Sequence, residues 1–103
     1  MFEPKIKNDQ TDLLMEAVLS LSNIEDAYRF FEDLCTIQEF KSLAQRMAVV
    51  QMLQQKVTYQ DIAKATGAST ATISRVNKAF QYGANGYQTV LTHLKNNQDG
   101  EKR

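Results

Sequence analysis

The chain has 103 residues, of which 43% are hydrophobic, 23% charged and 9% aromatic, a composition typical of one ordinary globular domain. No apolar run reaches the roughly 18 residues that a membrane-spanning helix needs, and a single cysteine, Cys35, excludes an intrachain disulfide framework and fits a reducing cytosol. Twelve basic and twelve acidic residues give a formal net charge of zero, which taken alone argues against a nucleic-acid partner.

The neutral total conceals two segments of opposite charge. Residues 1–39 contain nine acidic and three basic side chains and carry a net charge of −6, whereas residues 40–103 contain nine basic and three acidic side chains and carry +6. A charge difference of this kind between segments indicates an anion-binding portion. The whole-chain charge therefore excludes no class of partner.

The sequence predicts an all-α fold, because helix breakers are rare and apolar residues recur every three or four positions. The only proline is Pro4, and no glycine precedes Gly67. The polar run 9–12 can begin a first helix. Segments 22–25 and 36–39 have the capping-box pattern, in which a serine or threonine oxygen accepts a backbone N–H and the glutamate three residues later reaches back. They predict the starts of a second and a third helix.

Three further helices are expected in the second half of the chain. The fourth helix begins at Thr58 and must end before Gly67. The fifth is capped by Ser69 and ends at Gly83. The sixth follows the glycine-containing loop 83–86.

Residues 58–82 have the layout of a helix-turn-helix. The turn between two tightly crossing helices begins in a left-handed conformation, which Gly67 adopts without a Cβ penalty. Small or apolar residues lie where the two helices must pack on each other and on the rest of the domain: Ile62, Ala63, Ala68, Ile73 and Val76. The second helix of such a motif enters the major groove of DNA.

The second helix of this motif also has an exposed, small and polar face. The predicted DNA-binding residues in this region are Lys64, Ser69, Thr70, Ala71, Ser74, Arg75 and Lys78. Thr70 and Ala71 lie near the helix start, where small side chains contact base edges or thymine methyl groups. The lysines and the arginine are expected at phosphates, which position a protein without reading sequence. Because Asp61 is the only acidic residue between 58 and 82, this region is net positive.

The run GASTATISR at 67–75 resembles the Trp repressor superfamily and, within it, the Trp-repressor-related YerC/YecD group. The similarity continues upstream through LAQRMAVV at 43–50 and Leu53, and it covers about residues 10–96. It implies a six-helix, all-α fold and an intertwined homodimer whose two helix-turn-helix units face successive major grooves of double-stranded DNA. It therefore implies a sequence-specific transcriptional regulator, a repressor, in the bacterial cytoplasm and associated with the nucleoid.

The resemblance also implies a candidate effector pocket. In the tryptophan-sensing member two arginines hold the indole ring of the corepressor between them. Arg46 and Arg75 match their positions, and Thr72 matches a threonine beside the pocket. The residue after the second arginine is glycine in that repressor and Val76 here, so that methyl groups would fill the space of the ring. We therefore expect that this pocket does not bind tryptophan. One alternative is that it binds a different small effector. The other is that Arg46 forms an ion pair within the protein and contacts no effector.

Two basic residues that contact DNA in the tryptophan-sensing repressor match Gln60 and Ala63 here. Gln60 is also a predicted DNA-binding residue. Because neither of the two basic side chains is present here, we expect a different operator and a different affinity for DNA.

We expect a single helix-turn-helix domain over residues 1–103, with frayed ends at about 1–8 and 97–103. No catalytic motif is present, so that we expect no enzyme and no cofactor. His93 and Cys35 have no neighbours at the spacing of zinc ligands, so no metal is expected. The remaining alternatives are a repressor gated by an effector other than tryptophan and a protein–protein adaptor that keeps the fold without binding DNA.

Overall fold

The computed structural model describes the backbone of residues 2–101 and the side-chain surroundings of residues 2–97. These residues form six α-helices and no strand, which confirms the predicted all-α fold: α1 (Asp9–Leu19), α2 (Ile24–Leu34), α3 (Ile37–Gln54), α4 (Tyr59–Thr66), α5 (Thr70–Tyr82) and α6 (Gly86–Glu101). None of these helices has the length and apolar character needed to cross a membrane.

The segments predicted to fray contain a helix cap at one end and part of a helix at the other. Asn8, inside the segment expected to fray, is the N-cap of α1. At the other end α6 continues to Glu101, so that the helix includes much of the range 97–103. Met1 and the last two residues, which were also predicted to fray, lie outside the described residues.

The starts of α1 and α3 both use reciprocal capping boxes. At α1 the box is formed by Asn8 and Thr11 rather than within 9–12: the Asn8 side chain accepts from the Thr11 amide, and the Thr11 hydroxyl oxygen accepts from the Asn8 amide, both at 2.8 Å. At α3 the predicted box is confirmed. The Glu39 carboxylate accepts from the Thr36 amide at 2.8 Å, and the Thr36 hydroxyl oxygen accepts from the Glu39 amide at 3.1 Å.

The start of α2 differs from the prediction by one residue, and the predicted capping box of Ser22 and Glu25 is wrong. Asn23 is the N-cap, and its side-chain oxygen accepts from the Asp26 amide at 2.8 Å. Asparagine caps a helix as well as serine does, so that either residue is suited to this place. Glu25 instead pairs with Arg29 one turn later, at 2.6 Å.

The chain divides into two compact units, with the boundary between Phe40 and Lys41. In the first unit the aromatic rings of Tyr28 and Phe31 pack against Phe40, with ring centroids 6.1 and 6.0 Å apart. No residue of α1 or α2 is buried. The amphipathic helices expected from the sequence are therefore present, but a single chain leaves their apolar residues largely uncovered.

The second unit contains the hydrophobic core. Its buried side chains come from α3, the α4–α5 region and α6, and each is at most 5% exposed: Val49, Val50, Ile62, Ala68, Ile73, Val76 and Leu91. The four apolar residues expected to pin the helix-turn-helix, Ile62, Ala68, Ile73 and Val76, are thus confirmed as core residues. Ala63 packs against the same cluster.

Candidate nucleic-acid interface

The helix-turn-helix forms over the predicted residues because each helix end has a matching cap. The Thr58 hydroxyl oxygen accepts from the Asp61 amide at 3.3 Å and begins α4. Gly67 ends α4 in the left-handed conformation, with φ 75° and ψ 4°, and its amide donates to the Ala63 carbonyl at 2.9 Å. Ser69 then caps α5. The predicted roles of Thr58, Gly67 and Ser69 in the fold are confirmed.

Two residues that the sequence analysis did not single out hold the turn in place. The Thr66 hydroxyl donates to the Ile62 carbonyl at 2.7 Å and accepts from the Ala68 amide at 3.1 Å. Gln45, on α3, donates from Nε2 to the Thr66 carbonyl at 3.1 Å. This bond satisfies a carbonyl at the C-terminal end of α4, where the helix itself supplies no partner. The turn is therefore fixed both by its own residues and from α3.

Helix α5 has one buried and one exposed face. Ile73 and Val76 are 0% and 3% exposed and pack into the core of the second unit. Thr70, Ser74 and Lys78 follow one another at a spacing of four residues, so that they lie on one side of the helix. All three are exposed. The packing of Ile73 and Val76 therefore fixes the rotation of α5 about its axis, which leaves Thr70, Ser74 and Lys78 facing solvent.

All the predicted DNA-binding side chains lie at the surface: Gln60, Lys64, Ser69, Thr70, Ala71, Ser74, Arg75 and Lys78. Gln60 and Lys64 are one turn apart on α4. The Ser69 oxygen is already engaged with Thr72, since it accepts from the Thr72 amide and lies 3.1 Å from the Thr72 hydroxyl. Ser69 therefore has less freedom to bind DNA than the other residues of the set.

The basic side chains of the helix-turn-helix have no carboxylate partner within the part of the chain whose side chains are described. The ion pairs found there are Lys7–Asp12 and Glu25–Arg29, both in the first unit. Lys64, Arg75 and Lys78 are exposed. Their charges are therefore available to an anion such as a phosphate.

A second set of residues missed by the sequence analysis links α4 to α5. Asn77 donates from Nδ2 to the Tyr59 hydroxyl oxygen at 3.1 Å, and Gln81 donates from Nε2 to Asn77 Oδ1 at 3.1 Å. Tyr59 is the first residue of α4 and is 36% exposed. No periodicity in the sequence indicates this contact, because it joins residues 18 positions apart.

A cavity of about 420 Å³ lies in the second unit and brings together the three residues of the candidate effector pocket, Arg46, Thr72 and Arg75. Its lining residues are Ser42, Gln45, Arg46, Thr72, Arg75, Val76, Ala79 and Tyr87. Val76 faces this cavity while it remains part of the core. The ion pair considered for Arg46 is not found among the described side chains, where its guanidinium donates to the Ser42 hydroxyl oxygen at 3.3 Å.

Comparison with known proteins identifies the family. The family model described as Trp repressor protein matches residues 9–95, which is most of the chain. The chain belongs to the Trp repressor family. It is 48% identical over 91 residues to the uncharacterized protein YerC of Bacillus subtilis (strain 168), with 88% of each chain covered. The resemblance seen in the sequence is confirmed.

Solved structures of this family confirm the fold. A Trp-repressor-like protein from Eubacterium eligens ATCC 27750 superposes with a TM-score of 0.85 at 52% identity, covering 88% of this chain and 94% of that one. A protein from Staphylococcus aureus superposes with a TM-score of 0.84 at 44% identity, covering 88% of this chain and 91% of that one. The Trp repressor family is a family of regulators and not of enzymes, and DNA binding and transcription regulation fit it.

Proposed function

We propose that the protein is a sequence-specific DNA-binding transcriptional repressor that acts as a homodimer, with the whole chain serving as one helix-turn-helix domain. The observation that carries the proposal is the two-faced helix α5. Its apolar residues Ile73 and Val76 are buried, whereas Thr70, Ala71 and Ser74 are exposed near the end of the helix that would meet base edges. Membership of a regulator family supports the same conclusion.

The proposed contacts fall into two classes. Thr70, Ala71 and Ser74 are small enough to approach the base edges and to read them by hydrogen bonds and by contact with thymine methyl groups. The exposed Lys64 and Lys78 would bind phosphates and position α5 without reading sequence. Gln60, Ser69 and Arg75 complete the proposed interface.

Apolar side chains that a single chain leaves in water support the homodimer. Leu13, Leu19, Ile24 and Ile37 are between 67% and 84% exposed. Removal of these apolar side chains from water would stabilise the association of two chains. The helices of the first unit are therefore the proposed interface between two copies of the chain.

A second candidate is a repressor gated by a small effector other than tryptophan, and the cavity favours it. Arg46 and Arg75 line the same space, and neither forms an ion pair with a described residue. Two guanidinium groups would favour an anionic effector. Val76 stands in that space and its side chain is 3% exposed, so that we do not propose tryptophan. An effector that binds only the folded protein would raise its thermal stability with concentration.

The decisive experiment selects bound sites from a random pool of duplexes, with the mass of the protein measured by sedimentation. A repressor dimer should enrich a two-fold symmetric motif with half-sites about one helical turn apart. A dimer that enriches no duplex at low salt would instead be the adaptor, and the proposal of DNA binding would be wrong.

The variant Thr70→Glu tests the groove face directly. Thr70 is the first residue of α5, where a negative charge is favourable to the helix dipole, so that the fold should be kept. Like charges facing each other across an interface cost several kcal/mol, so that affinity for the selected duplex should fall by at least about a hundredfold. Thr92→Glu, the same change at an exposed residue of α6, is the control and should bind as the wild type does. Full affinity in Thr70→Glu would refute the assigned face.

A further inference from the structure

Tyr59 is an aromatic residue in an uncommon setting. It begins α4, directly before the proposed DNA-binding residue Gln60, and 36% of it remains exposed. Its hydroxyl oxygen does not simply face solvent, because it accepts a hydrogen bond from Asn77 on α5 at 3.1 Å. The side chain thus has a fixed polar end at the surface of the helix-turn-helix.

The direction of the hydrogen bonds determines what this polar end can do. Gln81 donates to Asn77, and Asn77 donates to Tyr59, each at 3.1 Å. A tyrosine hydroxyl that accepts still has its own proton to donate. In none of the hydrogen bonds found among the described residues does Tyr59 donate that proton. The chain of three side chains therefore ends in a donor.

The hydrogen bond between Asn77 and Tyr59 lies at the edge of the proposed DNA-binding face of α5. Asn77 lies three residues after Ser74 and directly before Lys78, both of which are exposed members of that face. Gln81 continues the same side of the helix one turn later. Asn77 itself is half-buried, so that it is held between the exposed face and the core. The Tyr59 hydroxyl consequently lies beside the surface that would approach the duplex.

We propose that Tyr59 is a phosphate-binding residue of this helix-turn-helix, with its hydroxyl oriented by Asn77 so that the O–H donates to a phosphate oxygen at the rim of the groove that α5 enters. The inference rests on the proposed function. A neutral hydroxyl at a phosphate contributes a hydrogen bond to a charged acceptor, which is stronger than a bond between neutral groups. Asn77 acts here as the positioning residue of that contact.

A phosphate contact from a neutral donor has its own signature. It carries no sequence information, so that its removal should weaken specific and non-specific binding by the same factor. It displaces no counterion, so that the slope of log K against log salt concentration should stay unchanged. Replacement of a cation such as Lys78 by alanine should instead make that slope shallower by about one unit for each phosphate that is no longer neutralised.

The experiment compares the full-length wild type with Tyr59→Phe, which removes the hydroxyl and keeps the ring. We expect affinity to fall about tenfold for each hydrogen bond to phosphate that is removed, with an unchanged salt slope and an unchanged ratio of specific to non-specific affinity. Thr92→Val, which also removes a hydroxyl but at an exposed residue of α6 outside the proposed interfaces, is the control and should bind as the wild type does. An equal affinity of Tyr59→Phe and wild type, or an altered specificity ratio, would overturn the proposal.

Two further measurements fix the partner atoms. The first measurement uses a series of duplexes that each carry one methylphosphonate. At one position per half-site this change should weaken DNA binding by the wild type and leave binding by Tyr59→Phe unaffected. If no position behaves in this way, the phosphate contact is refuted. Asn77→Ala should weaken binding less in the Tyr59→Phe background than in the wild type, whereas additive effects would refute the positioning role. If the wild type binds no duplex, the proposed function fails as well, which separates that outcome from failure of Tyr59 alone.

Discussion

The three glycines near the proposed recognition helix should respond differently to the same change to alanine. Gly67 has a φ of +75°, but a Cβ atom there would meet only Gln45 Nε2, at 3.9 Å. Gly83 has an ordinary φ, but its Cβ would overlap the Ala79 carbonyl oxygen and lie 3.1 Å from the carbonyl carbon. Gly86 would meet nothing within 4 Å. Three glycines within 20 residues of sequence therefore test three different situations, which are backbone strain at Gly67, steric overlap at Gly83 and open space at Gly86.

The size of each effect follows from its cause. In Gly67→Ala the left-handed conformation costs about 1–2 kcal/mol for a residue with a Cβ, partly offset by the lower entropy of the unfolded chain. In Gly83→Ala the backbone at the end of α5 must move and the hydrogen bond from Gly83 to Ala79 must break, which should cost about 3 kcal/mol or more. In Gly86→Ala the start of α6 should gain about 0.4–1 kcal/mol.

Urea unfolding followed by circular dichroism at one fixed protein concentration measures all three variants, and the concentration must be fixed because association contributes to stability. From the highest to the lowest free energy of unfolding, the expected order is Gly86→Ala, wild type, Gly67→Ala and Gly83→Ala. Gly83→Ala should also weaken DNA binding, since it disturbs α5 itself. If Gly67→Ala were as unstable as Gly83→Ala, or if Gly83→Ala were neutral, the reasoning from φ and Cβ contacts would be refuted.

Two further predictions concern helix ends. Hydrogen bonds from the Thr36 amide and hydroxyl lower the pKa of the Glu39 carboxyl below its ordinary value of 4.5. The carboxylate therefore stabilises the fold at pH values above 4.5, and this contribution is lost as the pH falls through the lowered pKa. Glu39→Gln keeps the capping box but has no carboxyl group to titrate. Its urea midpoint should therefore fall less on acidification than that of the wild type. Lys56 follows α3 with a φ of 62° and is exposed, so that Lys56→Gly should raise the free energy of unfolding by about 0.5–1 kcal/mol in the same assay. A lower stability would contradict this account of the end of α3.

The helix-turn-helix could be predicted closely because its signals are local. Gly67 and Ser69 each fix a helix end through their own backbone or side chain, and the buried residues Ile73 and Val76 follow helical spacing. The sequence predicts Ser22 as the cap of α2 and the structure has Asn23, because both residue types make good caps and the sequence alone does not separate neighbouring positions.

The contacts between helices could not be predicted in this way. Gln45 reaches the Thr66 carbonyl across 21 positions, and Asn77 reaches Tyr59 across 18. Glutamine and asparagine at such places look like ordinary surface residues of an amphipathic helix. The closeness of Arg46 and Arg75 at one cavity followed from the family resemblance and not from their spacing.

The two faces of α5 give the protein unequal freedom to change. Thr70, Ala71 and Ser74 are exposed, and none of their side chains takes part in the hydrogen bonds found among the described residues. Their replacement should cost little stability. Under the proposed function, a new operator preference would therefore be accessible through single, uncompensated substitutions. Val76 has no such freedom, because it lines the cavity and belongs to the core at once. Within this helix, the proposed DNA-reading side chains can therefore change more readily than the residue that limits the cavity.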